Sequence, residues 1–348
     1  MTIRSAAVVV ALALGGMLLG ACGSSGDASN DGDEPALETD QATLDKALTC
    51  TGFTHPDKPA VLLVHGTFTA GFEQYEWTYQ PLLSDRGFDV CYVTYPDRGL
   101  GDQQVSAEYV VNAIRSMRKQ SGRKIAVIGH SQGVSVTRWA IKWWPSVRAA
   151  VDDFVMEAGP NHGTSSTGLF DILTKLPLLP GVPEVLLQFP ADSMYTQASN
   201  RDDETPGDIS YTALYSMFDE LVEPSQPVPT AAVDFGLNNS KVSNILLQDV
   251  CAGRIVDHVT IGLFDSLAFA LALDAISNDG PADIARTTAT AGGKTQLCGI
   301  VPIVPSFDIA PLPELLTGLI GAVLKEPGNG LPALHLSKVE PPLKAYAQ

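Results

Sequence analysis

A serine stands between two glycines in Gly129-His130-Ser131-Gln132-Gly133, directly after the apolar β-formers Ile125, Val127 and Ile128. Downstream, Val134, Val136, Trp139, Ala140 and Trp143 recur at helical spacing, so the serine falls on a sharp turn between a strand and a helix. In a G-x-S-x-G elbow the serine backbone is strained, which lifts its hydroxyl into the open. The flanking glycines are needed because a Cβ there would strike the neighbouring strand and helix. The chemistry open to such a serine is nucleophilic attack on an acyl carbonyl. The plainer reading of the same residues is a tight turn whose serine only caps the helix.

A hydroxyl is a poor nucleophile until an imidazole takes its proton, and the imidazole needs a carboxylate to fix its tautomer and stabilise its charged form. Around an elbow of this kind the chain order is serine, acid, histidine. His55 and His65 precede Ser131, His130 adjoins it and should point away from its oxygen, and His162 follows the next strand too closely. His335 sits in a proline-rich tail with no strand to aim it. His258, in the loop after the last expected strand, is therefore the candidate base. Asp219 follows directly on a strand ending near Ser216 and is the candidate acid, with Glu220 and Glu223 as neighbours on its loop. Their plainer readings are a surface histidine beside Asp257 and an aspartate that starts a helix. A tetrahedral intermediate also needs two donors aimed at its oxyanion. The N–H of Gln132 supplies one. Thr67, in a loop where Gly66 permits close approach, supplies the other through its N–H and hydroxyl.

These residues require a scaffold of strands alternating with helices. Residues 58–66 and 89–96 are continuous apolar runs without alternation, as expected of strands covered on both faces in a parallel sheet. A helix is expected over 76–86 and a stronger one over 103–120, with Val105, Tyr109, Ala113, Ile114 and Met117 on one face. After the elbow strand come a helix ended by Pro145 and strands near 151–156, 210–216 and 242–250. This order predicts an α/β fold with a mostly parallel sheet and right-handed crossovers. The apolar, proline-interrupted stretch 168–190 reads as short helices over an acyl-binding cleft or as a buried insertion. Residues 259–276 and 308–325 read as two further apolar helical segments.

The 348 residues are 45% hydrophobic, enough for one large α/β domain or two small ones. An apolar run from Ala6 to Leu19 has the length of a signal peptide's core. It ends in Leu19-Gly20-Ala21-Cys22, which is similar to a bacterial lipobox and implies cleavage before Cys22 and lipidation of that residue. Residues 23–45 hold seven acidic residues and no basic one, so 22–45 reads as a lipidated cysteine plus a flexible acidic tether. Residues 46–348 form the expected domain. Removing residues 1–21 takes away Arg4 alone, leaving 21 basic against 39 acidic residues, a net charge of −18. Nucleic acid is excluded as a partner, and membrane attachment would rest on the lipid rather than on a basic patch. The four remaining cysteines allow three pairings. Pairing of sequence neighbours would close loops worth about 4 kcal/mol each in the chain-entropy model. No Cys/His cluster has zinc-ligand spacing, so no metal is expected.

With these residues in view the chain resembles the lipase B family of Candida antarctica and its bacterial relatives, within the α/β-hydrolases. The likeness runs from about Leu48 to Cys298 and is densest in LTCTGF, KPAVLLVHGTFTAG, QVSAEYVVNAI, HSQG, WWPSVRAAVD, LYSMFDELVEP and VCAGRIVDH. It implies an α/β-hydrolase fold, while residues of about 161–205, where the likeness does not extend, are expected to form a lid-like insertion. It further implies a Ser131, Asp219, His258 triad, an oxyanion hole of Thr67 and Gln132, and disulfides Cys50–Cys91 and Cys251–Cys298. The family has a tryptophan where this chain has His130 and a proline where it has His65, changes expected to make the pocket entrance more polar. The family's last C-terminal disulfide has no counterpart here. The function implied is a monomeric, cofactor-free serine carboxylic ester hydrolase of the lipase type, exported and anchored through Cys22 on the outer face of the cytoplasmic membrane. It would act on small-molecule or lipid esters. Alternatives are an acyltransferase of envelope lipids using the same triad and a non-catalytic lipid-binding surface lipoprotein.

Overall fold

Residues 34–165, 180–299 and 333–348 are described by the computed structural model. The expected leader 1–21, Cys22, the first part of the expected tether, residues 168–179 of the apolar stretch and the segment 308–325 lie outside the described residues.

In chain order the strands are β1 (Leu48–Cys50), β2 (Ala60–Val64), β3 (Val90–Val93), β4 (Ile125–His130), β5 (Val151–Glu157), β6 (Val182–Pro183), β7 (Ser210–Tyr215), β8 (Val242–Leu246) and β9 (Leu336–Ser337). Seven of them make one sheet in the order β1-β3-β2-β4-β5-β7-β8, while β6 and β9 pair separately. Within the large sheet only β1 is antiparallel to its neighbour. The unalternated apolar runs have the expected cause. Leu62, Val64 and Val127 join the core on one face, whereas Val61, Leu63, Ala126 and Ile128 join the core on the other. Each of these valine, leucine and isoleucine side chains contributes about 1.5–3 kcal/mol by leaving water.

Helices cover both faces. Gln103–Ser121 starts where the Asp102 carboxylate accepts from the N–H of Gln104, and it ends at Gly122 with φ 70°. Pro145 stops the Gln132–Trp143 helix and also opens the next one, Pro145–Ala150, where its missing N–H costs nothing. The disulfide Cys50–Cys91 joins directly opposed residues of β1 and β3, and Cys251–Cys298 ties the loop before His258 to the Lys294–Leu297 helix.

Four sequence expectations are corrected. Residues 34–45 are docked on the domain rather than part of a free tether. Glu34 pairs with Arg115 and accepts from the Ser146 hydroxyl, the Pro35 carbonyl accepts from the Trp144 indole, and Leu44 is buried. Composition records charge but not these specific partners. The helix expected over 76–86 is shorter, Tyr79–Ser84, and a separate short helix, Gly71–Tyr75, precedes it. The strand expected over 242–250 stops at Leu246 and becomes a short helix, Leu247–Val250. The helix expected over 259–276 is broken into His258–Ile261 and Ser266–Ser277, the second restarted by Asp265, whose carboxylate accepts from the N–H groups of Leu267 and Ala268. The described part of the insertion packs on the domain: Tyr195 stacks on Trp139 with ring centroids 4.3 Å apart, and Val185, Leu186 and Phe189 cluster with Leu100.

Candidate active site

Strands β2 and β4 are parallel neighbours with Val64 opposite Gly129. From this pair the chain builds outward to β3 on one side and to β5 on the other, and such a reversal leaves a crevice beyond the carboxyl ends of the strands. The loop from His65 to Thr69 and the serine turn both emerge there. Ser131 has φ 55° and ψ −122°, a conformation that side-chain-bearing residues rarely adopt. Its N–H donates to the Glu157 carbonyl at 2.9 Å and its own carbonyl accepts from Val134 at 3.0 Å. A Cβ on Gly133 would lie 2.1 Å from the Val64 carbonyl oxygen, and one on Gly129 would lie 2.9 Å from that of Gly133. Both glycines are therefore demanded by contact with neighbouring backbone.

Gln132 opens the helix, so its N–H has no intrahelical acceptor. Its side chain faces the other loop: the Thr67 hydroxyl donates to Gln132 Oε1 at 2.9 Å, and Gln132 Nε2 donates to the Gly99 carbonyl at 3.0 Å. Gln74, which sequence reasoning missed, holds the same loop. Its Oε1 accepts from the N–H of Gly66 and from the Thr69 hydroxyl, each at 3.1 Å. A polar residue on the buried side of the helix following the loop was the only signal for it.

The histidine and acid arrive from the far side of the sheet. His258 Nε2 is 2.9 Å from Ser131 Oγ, and its Nδ1 is 3.0 Å from both carboxylate oxygens of Asp219. A carboxylate only accepts, so Nδ1 carries the proton and Nε2 is left to accept from the serine hydroxyl. Asp219 Oδ1 also accepts from the N–H groups of Leu221 and Val222, at 3.0 and 2.8 Å. Two residues that sequence reasoning missed join the acid and histidine loops. Ser216 donates its hydroxyl to the Val256 carbonyl at 2.6 Å, while Gln248 accepts from Met217 N and donates to the Arg254 carbonyl. Glu220 Oε2 accepts from the N–H of His258, whereas Glu223 bonds Thr164 through its backbone. His55, His162 and His335 pair elsewhere, with Asp89, Glu204 and Asp97.

Residues 57–236 match the family model for lipases of class 2. The chain belongs to the class 2 lipase family. It is 34% identical over 232 residues to lipase B of Pseudozyma antarctica, a match that spans 65% of this chain and 65% of that protein's length. The solved structure of Aspergillus fumigatus lipase B superposes with a TM-score of 0.75 at 27% identity, covering 91% of this chain and 74% of that one. The fold is that of the α/β-hydrolase lipases.

In this member of the lipase family His65 and His130 do not make an entrance polar, because both are buried. His65 stacks on Tyr95 with centroids 3.8 Å apart and donates from Nδ1 to the Gly66 carbonyl. His130 donates from Nε2 to the His258 carbonyl at 2.8 Å. Burial pushes both imidazoles down to about 3, so both are neutral.

The two central groups are shifted in opposite senses. Burial alone would lower His258, but the charge and hydrogen bond of Asp219, with the charges of Glu220 and Asp257, outweigh it and hold the imidazole above 6.5. For Asp219 burial opposes ionisation, and His258 together with the two backbone donors overcomes it, leaving the carboxyl below 3.8. A base acts when unprotonated, so the acid limb of an ester-hydrolysis profile is expected above pH 6.5. Glu220→Gln keeps an oxygen for His258 N and removes a charge. The kcat/KM profile of that variant should fall off at lower pH than the parent's; a limb that stays put or moves up would remove Glu220 from this role.

Behind the turn lies Glu157, fully buried, with Oε1 accepting from the Tyr79 hydroxyl at 2.5 Å and Oε2 without a partner among the described residues. Burial pushes its carboxyl up from 4.5 to about 8. Its stabilising contribution is thus complete below about pH 4.5 and is lost as pH rises to about 8. That loss is on the order of several kcal/mol, at about 1.4 kcal/mol per pH unit. Glu157→Gln should flatten the decline of Tm between those pH values. Asp153, also raised to about 8 by burial, retains the remaining slope.

Proposed function

We propose that the chain is a lipase or esterase that hydrolyses carboxylic esters through Ser131, His258 and Asp219, with Thr67 and Gln132 as the oxyanion hole. Ser131 Oγ attacks the ester carbonyl as His258 Nε2 takes its proton. The oxyanion receives hydrogen bonds from Gln132 N–H and from Thr67, whose hydroxyl turns from Gln132 Oε1 to do so. His258 returns the proton to the leaving alcohol oxygen and the acyl-enzyme forms. A water then gives its proton to His258 and attacks the acyl carbonyl, which releases the acid and restores the serine hydroxyl. No cofactor enters either half. The observation that carries this reading is the unbroken contact from Ser131 Oγ through His258 to Asp219, with Ser131 in a strained conformation that exposes its oxygen.

We place this monomeric enzyme outside the cytoplasm, held to the membrane by a lipid on Cys22 with residues between it and Glu34 as the tether. Two disulfides favour an oxidising compartment, and a net charge of −18 once residues 1–21 are removed favours lipidation as the means of attachment. Cys22→Ala should move the protein from the membrane to the soluble fraction; unchanged attachment would sink the anchor.

The activity is tested with a fluorophosphonate and a p-nitrophenyl ester series from short to long acyl chains. The expected result is an adduct on the peptide holding Ser131, slowed by excess substrate present during labelling, and turnover whose chain-length profile separates esterase from lipase. An adduct on another residue, with no ester hydrolysed, would overturn the proposal. Transfer to an added alcohol in preference to water would replace it with acyltransfer.

A further inference from the structure

His130 and Ser131 are consecutive residues that grip the same histidine at two places. Ser131 meets the His258 imidazole, while His130 Nε2 donates to the His258 main-chain carbonyl at 2.8 Å. The two imidazole rings are 5.1 Å apart. Space has been cleared for the His130 ring on both sides. A Cβ on Gly262, one turn beyond His258, would lie 2.2 Å from His130 Cδ2, and a Cβ on Gly66 would lie 3.3 Å from His130 Nδ1. His130 is thus wedged between the oxyanion loop and the segment that carries His258. The break in the helix at Gly262 is where it fits.

We propose that His130 is a positioning residue for the general base: it ties the main chain of His258 to the serine turn, so that the distance from Nε2 to Ser131 Oγ is set by two contacts from adjacent residues. The inference rests on the catalytic reading of Ser131 and His258. It deepens that reading by assigning a task to a residue outside the triad. The carbonyl can only accept, so His130 carries its proton on Nε2, and Nδ1 stays bare, with no partner among the described residues. The ionisable groups that face its ring are His258 and, behind it, Asp219. A second cation beside His258 would oppose the proton transfer from Ser131, and the buried, neutral state of His130 removes that conflict.

Two variants of the full chain separate the donor from the bulk of the ring. His130→Leu fills the site without a donor, and His130→Gln restores an N–H at nearly the reach of imidazole Nε2. His130→Leu is expected to lower kcat on p-nitrophenyl butyrate by about ten- to a hundredfold with KM changed less than about threefold, and His130→Gln to recover most of it. A leucine variant within about twofold of the parent, or a glutamine variant as impaired as the leucine one, overturns the proposal. Imidazole nitrogen spectra of the parent chain give a second readout that needs no turnover. His130 should stay neutral with its proton on Nε2 between about pH 5 and 8. A His130 that titrates there, or carries its proton on Nδ1, overturns the assignment even if no ester is found. Absent turnover by the parent would instead count against the ester-hydrolase reading.

Discussion

Ser131→Ala is expected to lower ester turnover by about 10⁶ while leaving the fold and its Tm nearly unchanged. The loss is large because the other residues act through that oxygen. His258 has no proton to accept, and the oxyanion donors face an intermediate that never forms covalently. The fold survives because alanine keeps the Cβ and needs only the φ of 55° that serine already tolerates. Ser131→Gly makes a useful companion. It should be equally inactive yet more thermostable, because glycine adopts that conformation without strain, worth on the order of 1 kcal/mol. If Ser131→Ala retained more than about a hundredth of the parent's activity, another nucleophile would have to be found.

Asp219→Asn is expected to cost about 10⁴ in kcat with little change in KM. The backbone N–H groups of Leu221 and Val222 both point at Oδ1, so an asparagine at this position is pinned with its oxygen towards them and its amide towards His258. That amide donates to Nδ1. The proton of the neutral imidazole is then driven to Nε2, where it blocks acceptance from Ser131. The side chain remains in place, so binding is preserved and the defect lies in the tautomer. Equal losses in kcat and KM, or a loss below about tenfold, would mean that Asp219 serves the loop rather than the histidine.

The serine turn was legible in the sequence because its causes lie within about twenty residues: an apolar strand, two glycines and an amphipathic helix. His258 and Asp219 were reached by the order of elements along an α/β chain, which selects candidates without locating them. Their approach to Ser131 depends on β7 and β8 lying beyond β5 on the same side of the sheet. The need for glycine at 133 has its physical cause in β2, a strand that ends more than sixty residues earlier and meets the turn only through the pairing of Val64 with Gly129.

The expectations about polar residues that the structure corrects share one cause. Acidic composition opposes burial on average and so predicts a free tether through residue 45, yet Glu34 finds Arg115 and Ser146 on the domain. The likeness to the family puts His130 and His65 at an entrance, yet both are buried against partners brought by other segments. Gln74, Ser216 and Gln248 went unseen for the same reason. Local pattern and chain order are enough to read the α/β class, the two-sided strands, the serine turn and the residues available to serve it. Which polar side chains meet is settled in the folded chain alone. Each such hydrogen bond joins segments distant in the chain, and its strength depends on a few tenths of an ångström that no local propensity encodes.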